Sequence, residues 1–123
     1  MHYKRTSIIM KALIIANKEL KIKLVEAFIE NKVSKISVVN TIEEAALLLF
    51  TEKFDYLFLD HQLPDGVGSD FLKQIKEEHS EITCVSISTD NSIIYDYKNL
   101  GYHHVFQYPF KETTEEIFNL TCN

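Results

Sequence analysis

The sequence predicts an α/β protein: a doubly wound, five-stranded parallel sheet with helices on both faces. Short apolar segments alternate with amphipathic segments along the chain, and this alternation is typical of repeated β-α units. The apolar run Tyr56–Leu59 has four large side chains in succession, as expected of a central strand that is buried on both faces. Repeated β-α units favour parallel strands joined by right-handed crossovers.

The first half of the chain predicts two strands, each followed by a helix. Ala12–Ile15 is an unbroken apolar strand. Apolar residues at helical spacing follow it: Leu20, Leu24, Ala27 and Phe28. Ile36–Val39 is the second predicted strand. Thr41 and Glu44 have the spacing of a capping box, so a helix is expected to begin there and to include Ala45–Phe50.

Three further units complete the predicted fold. The strands are expected at Tyr56–Asp60, Ile82–Ser88 and His104–Gln107. The helices after them are marked by Phe71, Leu72 and Ile75, by Ile93, Ile94, Tyr97 and Leu100, and by Thr113–Thr121. Gly101 is expected to end the fourth helix in the C′ position, and Pro109 breaks the chain before the fifth.

Length and composition indicate one globular domain at residues 11–123, preceded by a short leader at residues 1–10. Hydrophobic residues make up 46% and charged residues 25% of the chain, which is ordinary for such a domain. The formal net charge of −5 argues against nucleic-acid binding. Cys84 and Cys122 do not form a disulfide framework, and no segment is long enough to span a membrane. A cytoplasmic location is therefore expected.

Asp60 ends the most apolar run of the chain and precedes a loop rich in Pro and Gly. Open α/β sheets place their chemistry at the carboxyl ends of parallel strands. The segment that begins at Asp60, D-x-x-L-P-D-G-x-G-x-D-x-L, resembles the phosphoacceptor segment of response-regulator receiver domains. Ser88 and the ending Gly101…Tyr108-Pro109-Phe110 support this resemblance, which covers residues 11–121.

The resemblance implies a flavodoxin-like sheet with strand order 2-1-3-4-5 and a role in phosphorelay signal transduction. It makes Asp60 the candidate phosphoacceptor and Ser88 the hydroxyl that contacts the phosphoryl group. Ala16 and Asn17 end the first strand and should face the same pocket, with Tyr108 beside it. The alternative role of Ser88, as a cap for the following helix, remains open.

The pocket departs from the family pattern at three positions. The family's acidic pair is replaced by Ala16 and Asn17, and its lysine by Tyr108. Mg²⁺ prefers carboxylate ligands, so no metal site is expected and Mg²⁺ binding should be weak or absent. A phenol carries no charge at neutral pH, so Tyr108 cannot replace the lysine electrostatically.

Three classes of function remain to be compared. One is a signalling receiver phosphorylated on Asp60, and another is a pseudo-receiver that binds proteins without phosphorylation. The third, an enzyme or cofactor binder of the same architecture, is disfavoured because the loop at Ala16–Glu19 lacks a Gly-rich phosphate cradle. A dehalogenase-type phosphatase would need an aspartate where Gln62 stands. We therefore expect no enzymatic activity.

The expected partner is a protein, either a histidine kinase or a phosphotransfer protein. Aromatic residues are concentrated in the last third of the chain, which suggests a homodimer through the fourth helix, fifth strand and fifth helix, with Tyr95 and Tyr102 exposed on it. Cys84 is expected in the core. Four of the five histidines are expected at the surface: His61, His79, His103 and His104.

Overall fold

The computed structural model describes residues 10–16, 22–27, 35–60, 62–88, 97–107 and 110–122. The strands are β1 Lys11–Ile15, β2 Lys35–Val39, β3 Tyr56–Asp60, β4 Gln62–Leu63, β5 Gly66–Val67, β6 Thr83–Ser88 and β7 His104–Gln107. The helices are α1 at residues 22–27, α2 Ile42–Thr51, α3 Gly68–Glu78, α4 at residues 97–100 and α5 Thr114–Cys122. A few of these residues are described by their backbone alone: Gln62, Ser69, Ser88, Thr114, Phe118, Thr121 and Cys122.

Five of the strands form one sheet in the order β2-β1-β3-β6-β7, and each neighbouring pair is parallel. Because β6 and β7 are the fourth and fifth of the predicted strands, the expected order 2-1-3-4-5 is confirmed. The register pairs Ile15 with Leu59, and Asp60 with Ile87. The carboxyl ends of β1, β3 and β6 therefore lie together at one edge of the sheet.

The loop after β3 contains a small hairpin that the sequence did not predict. Gln62 pairs with Val67 and Leu63 with Gly66, in an antiparallel ladder separate from the main sheet. The turn between them is formed by Pro64 and Asp65. α3 begins at Gly68, directly after this hairpin, so no further residue separates the hairpin from the helix.

Two hydrophobic cores lie on the two faces of the sheet. Successive strand residues point to opposite faces, so Leu57 and Leu59 enter one core and Phe58 enters the other. All three are fully buried, which explains why β3 is apolar without alternation. Full burial of such a side chain contributes about 1.5–3 kcal/mol. The first core packs under α2, α3 and α4, and the second under α1 and α5.

The predicted capping box at the start of α2 is confirmed. The Glu44 backbone N–H donates to Thr41 Oγ1 at 3.1 Å, and the Asn40 N–H donates to Glu44 Oε1 at 3.0 Å. The first bond satisfies an N–H group that the first helical turn leaves without a partner, and the second ties Glu44 to the residue before the cap. The amino end of α2 is thus fixed locally, before any tertiary contact is considered.

The prediction that Tyr102 is an exposed interface residue was wrong. Tyr102 is only 3% exposed and belongs to the core beneath α3 and α4, and Phe106 is buried in the opposite core. The chain turns sharply at Gly101, whose φ is +103°, and this turn directs Tyr102 inward. Several aromatic residues of the last third therefore serve the core. Tyr95, the other proposed interface residue, lies outside the described residues.

The helices are amphipathic in the manner expected of a layer on a sheet. On α5, for example, Ile117 is buried while Glu115 and Glu116 are exposed. Across the described ranges, none of the helices has the length and apolar character needed to traverse a bilayer.

Candidate functional site

Asp60 and Ala16 lie at the carboxyl edge of the sheet, where the sequence analysis expected a pocket. Asp60 is the last residue of β3 and is 8% exposed, and Ala16, directly after β1, is 1% exposed. Ser88 is the last residue of β6 and pairs with Gln107 of β7. It directly follows Ile87, the residue that pairs with Asp60. The side chain of Ser88 is not described. Asn17 and Tyr108 lie outside the described residues, so their place in the pocket stays a prediction.

The position of Asp60 is set by a strand that is held on both sides. β3 pairs with β1 and with β6, so a carboxylate at its end is fixed relative to both neighbours. A carboxylate held in this way can act as a nucleophile toward phosphorus or carbon centres. Within the described part of the chain, no group of three or more His, Cys, Asp or Glu residues is arranged to hold a metal ion.

Asp65, from the loop after Asp60, caps the amino end of α2. Its two carboxylate oxygens accept hydrogen bonds from the backbone N–H groups of Ile42 at 2.9 Å and Glu43 at 3.1 Å. The bond from Ile42 is the main cause of a lowered Asp65 pKa, since both bonds favour the ionised form. The loop also packs tightly here, because a Cβ added at Gly66 would lie 2.8 Å from Ile42 Cδ1.

Sequence reasoning treated Asp65 only as a turn residue. Asp65 is indeed in a turn, but its contacts also join the loop to α2 across 23 residues of sequence. Two features of the sequence were consistent with this contact: Asp is a preferred capping residue, and α2 has N–H groups that its own cap cannot satisfy. Only the tertiary fold reveals that the two features meet.

Two buried hydroxyl groups lie near the site, on Ser86 of β6 and on Tyr102. Ser86 is fully buried, and no hydrogen bond of ordinary geometry reaches either hydroxyl oxygen. Burial raises the pKa of Tyr102 far above its usual value. The nearby Ser86 hydroxyl acts to lower the pKa of Tyr102, whereas the negative charge of Asp60 acts to raise it. The phenol is therefore protonated and lies within electrostatic range of Asp60.

Sequence reasoning selected Ser88 and missed Ser86. Strand alternation could have found it, because residues two apart in a strand share a face of the sheet. Cys84 lies on that face as well and is fully buried in the core, as predicted. Burial raises the pKa of its thiol to about 11, so the Cys84 thiolate is scarce at neutral pH and Cys84 is unsuited to redox or nucleophilic chemistry.

His103, the residue before β7, forms two hydrogen bonds with Cys84 of β6. Its Nδ1 accepts a hydrogen bond from the Cys84 N–H at 2.9 Å, while the His103 N–H donates to the Cys84 oxygen at 2.8 Å. Desolvation is the largest cause of a lowered His103 pKa, and the nearby Lys76 ammonium acts in the same direction. His103 is exposed, as expected of a surface histidine, and its ring has a structural role at this strand junction.

A parallel α/β sheet of this order, with a buried aspartate at the carboxyl end of its central strand, defines a doubly wound, flavodoxin-like domain. The family model that matches is the response regulator receiver domain, over residues 12–118. The chain belongs to this family and is a receiver domain of two-component signalling. Receiver domains are generally signalling modules without enzymatic function.

Solved receiver structures share the fold. A two-component response regulator from Clostridium difficile is 25% identical with a TM-score of 0.78, and the alignment covers 90% of this chain and 91% of that one. The chemotaxis response regulator CheY4 of Vibrio cholerae is 15% identical with a TM-score of 0.78, covering 92% and 96%. At the latter identity the likeness concerns the fold alone.

A curated relative matches over a shorter stretch. The probable transcriptional regulatory protein y4xI of Sinorhizobium fredii is 34% identical over 53 residues, which is 43% of this chain. The match spans 24% of the length of that relative. The likeness therefore concerns one part of a longer protein.

Proposed function

We propose that this chain is an atypical receiver in which Asp60 is the phosphoacceptor and the surrounding pocket gives little electrostatic assistance. The observation that carries the proposal is that two buried residues, Asp60 and Ala16, lie at the carboxyl ends of adjacent strands, one with a carboxylate and the other with a methyl group. The nucleophile is retained, and one of the family's carboxylates is a methyl group. The partner would be a histidine kinase or a phosphotransfer protein.

The proposed reaction is transfer of a phosphoryl group from a phosphohistidine. A carboxylate oxygen of Asp60 attacks phosphorus, the P–N bond breaks, and the imidazole leaving group takes up a proton. The product is an aspartyl phosphate on this chain and an unmodified histidine on the donor. Such a transfer depends on positioning and on neutralising the charge of the phosphoryl oxygens, which a metal ion supplies in related sites.

The residues described at this edge fit a Mg²⁺ ion poorly. Mg²⁺ requires octahedral oxygen coordination with one or two carboxylates, and the Ala16 methyl contributes no oxygen. We therefore propose that Mg²⁺ binds weakly and that the phosphoryl group would rely on Ser88, Asn17 and Tyr108 for hydrogen bonds. The placement of these three residues in the pocket and the role of Ser88 rest on the family resemblance, whereas hydrogen bonding by Asn17 and Tyr108 is inferred from their side-chain chemistry.

Intact-mass spectrometry after incubation with a small phosphodonor, with and without Mg²⁺, tests the proposal. We expect a slow adduct that Mg²⁺ accelerates little and that Asp60→Asn abolishes. Asp70→Asn is the matched control, because Asp70 is an exposed carboxylate on α3, ten residues after Asp60. An adduct that survives Asp60→Asn would assign the acceptor elsewhere.

A second candidate function is a pseudo-receiver that binds its partner without phosphorylation. It is favoured by the contacts of Asp65, which tie the loop after Asp60 to the amino end of α2. In that case no adduct forms with any donor, and Asp60→Asn leaves partner binding unchanged. A homodimer through α4, β7 and α5 is compatible with either function, and sedimentation at several concentrations would test it.

A further inference from the structure

A trough between α2 and α3 carries the two most exposed large apolar side chains of the described surface. Phe50 is 89% exposed and Leu47 is 66% exposed, both on α2. The opposite wall comes from α3. Two almost fully buried residues of α3, Phe71 and Ile75, form the apolar base of the trough. The trough has a volume of about 620 Å³. Apolar surface of this kind is costly to leave in water and often marks a binding site.

The edges of the trough are acidic. Glu43 on α2 and Glu78 on α3 are exposed on opposite walls, and Glu81 lines an adjoining hollow that shares Phe50 and Glu78. Among the described residues, no ion pair neutralises any of these three carboxylates. Of the residues that the structure describes, Lys53 is the one lysine that lines either space.

The neighbouring Glu52, in contrast to these three carboxylates, forms ion pairs within the chain. Its carboxylate is 3.2 Å from Lys11 Nζ and 2.6 Å from Lys35 Nζ, and these two lysines lower its pKa. The charge of Glu52 is thus compensated within the chain. Within the described ranges, Glu43, Glu78 and Glu81 have no such ion pair, so their negative charge is available to a partner.

We infer that the α2–α3 trough binds an amphipathic helix of a partner protein, one whose apolar stripe is flanked by lysine or arginine residues. The apolar stripe would pack on Leu47 and Phe50, as in other helix-in-groove complexes. The flanking cations would face Glu43 and Glu78, which sets orientation and association rate.

The same charges argue against other occupants. A symmetric contact between two copies of this chain would bring Glu43 and Glu78 of both copies together, and the like charges would repel. An anionic lipid surface or a nucleic acid would be repelled for the same reason. The trough is also separate from Asp60, so this inference goes beyond the proposed phosphoryl transfer and does not depend on it.

A labelled synthetic helix tests the inference directly. The probe is a fluorescein-labelled peptide of about 18 residues, long enough to form a helix, with leucines at i, i+3, i+4 and i+7 and lysines on both flanks. Fluorescence anisotropy with the full chain should show saturable binding. A peptide with glutamates in place of the lysines should bind at least about tenfold more weakly.

Paired variants locate the binding surface. Leu47→Ser with Phe50→Ser should weaken binding at least about tenfold, since a few central apolar contacts dominate such interfaces. Glu43→Gln with Glu78→Gln should weaken it about threefold or more and flatten its salt dependence. The controls are Leu120→Ser and Glu115→Gln on α5, an exposed apolar and an exposed acidic residue of another face. Thermal unfolding verifies that each variant folds.

Three results would overturn the inference. One is equal affinity for the acidic and the basic peptide. Another is unchanged affinity after Leu47→Ser with Phe50→Ser. The third is self-association of the chain that this same double variant removes, which would place a second copy in the trough. Unchanged peptide affinity in Asp60→Asn supports the inference, whereas a missing phosphoryl adduct would count only against the proposed function.

Discussion

Asp65 joins the loop after the candidate phosphoacceptor to the amino end of α2. Its carboxylate accepts the N–H groups of Ile42 and Glu43, which α2 cannot satisfy internally. A negative charge at a helix amino end is also favoured by the helix dipole. One side chain therefore connects the loop to the helix that forms one wall of the α2–α3 trough.

The lowered pKa of Asp65 predicts a specific dependence of stability on pH. A carboxyl group whose pKa is lower in the folded state stabilises the fold fully above its unfolded value of 3.8, and this contribution is lost as pH falls through the folded pKa. Asp65→Asn should therefore be less stable than the wild type at neutral pH, and the difference should shrink below pH 3.8.

Urea unfolding at a series of pH values measures this difference. Glu77→Gln is the control, because Glu77 is exposed on α3 and accepts none of the hydrogen bonds at the start of α2. At neutral pH its free energy of unfolding should lie close to that of the wild type, as for most exposed substitutions. A constant difference for Asp65→Asn would mean that the carboxylate charge does not act at α2.

The hydroxyl of Tyr102 should contribute little to stability. It is buried without a hydrogen bond of ordinary geometry, so its desolvation is not repaid. We expect Tyr102→Phe to change the free energy of unfolding by less than about 1 kcal/mol, or to stabilise the protein. Tyr102→Ala should cost about 3–5 kcal/mol, because it leaves a cavity in the core.

Chemical denaturation of the two Tyr102 variants and of Ser86→Ala provides the comparison. Ser86→Ala should also be near neutral, since its hydroxyl is in the same situation. A loss of more than about 2 kcal/mol in Tyr102→Phe would contradict this account. It would indicate that a buried water molecule satisfies both hydroxyls.

At the scale of elements, the end of α4 determines which side chains enter the core. The Tyr102 N–H donates to the Tyr97 oxygen at 2.9 Å and the Gly101 N–H donates to the Lys98 oxygen at 3.0 Å, the two bonds of a Schellman motif. The Gly101 oxygen accepts a bond from Lys76 Nζ at 2.9 Å, which connects α3 to this turn. The turn thereby directs Tyr102 under α3 and α4.

Gly101→Ala should therefore destabilise the protein by about 1–3 kcal/mol. The φ of +103° is unfavourable for a residue with a Cβ, and that atom would lie 3.2 Å from Leu72 Cδ2 and 3.3 Å from Lys76 Cδ. Gly101→Asn should cost less in backbone strain, because Asn tolerates positive φ better than Ala. Thermal or urea unfolding ranks the variants, and an alanine variant as stable as the wild type would refute the prediction.

Strand bounds could be predicted best where turn-forming residues flank the strand. β3 and β7 have the predicted bounds, because each strand lies between clear turn signals. β1 and β2 each begin one residue earlier than predicted, at Lys11 and Lys35, which pair with each other across the parallel ladder. Hydrophobic periodicity cannot detect this pairing, since both side chains are charged.

The parts of the site that depend on tertiary contacts were harder to predict. Asp60 and Ala16 were located correctly at the sheet edge because strand ends can be read from the chain. The contact of Asp65 with α2 could not be anticipated without knowing which helix lies above the loop. Tyr102 was assigned to the surface because aromatic content alone does not distinguish core from interface. The acidic trough likewise requires the relative positions of two helices.

At the scale of the whole molecule, the fold retains the frame of a receiver, with Ala16 directly after the strand that lies beside β3 and Asp60. Ala16 is buried beside β3 and belongs to the core beneath α1 and α5. A carboxylate introduced there would be desolvated and would lie near Asp60, so a cation would be needed to offset the repulsion. If electrostatics alone limits the pocket, restoring the lost charges should restore the chemistry.

We expect the double variant Ala16→Asp with Asn17→Asp to be less stable than the wild type at low Mg²⁺ and to regain stability as Mg²⁺ is added, since binding to the folded state stabilises it by mass action. Adding Tyr108→Lys supplies a cation for the phosphoryl oxygens, and charge-assisted donors bind them best. The triple variant should then form a Mg²⁺-dependent phosphoryl adduct, measured by intact mass, that Asp60→Asn in the same background removes. Ready phosphorylation of the wild type would show that the altered groups were never required. A triple variant that folds and binds Mg²⁺ but forms no adduct would show instead that the geometry around Asp60, rather than its electrostatics, has diverged.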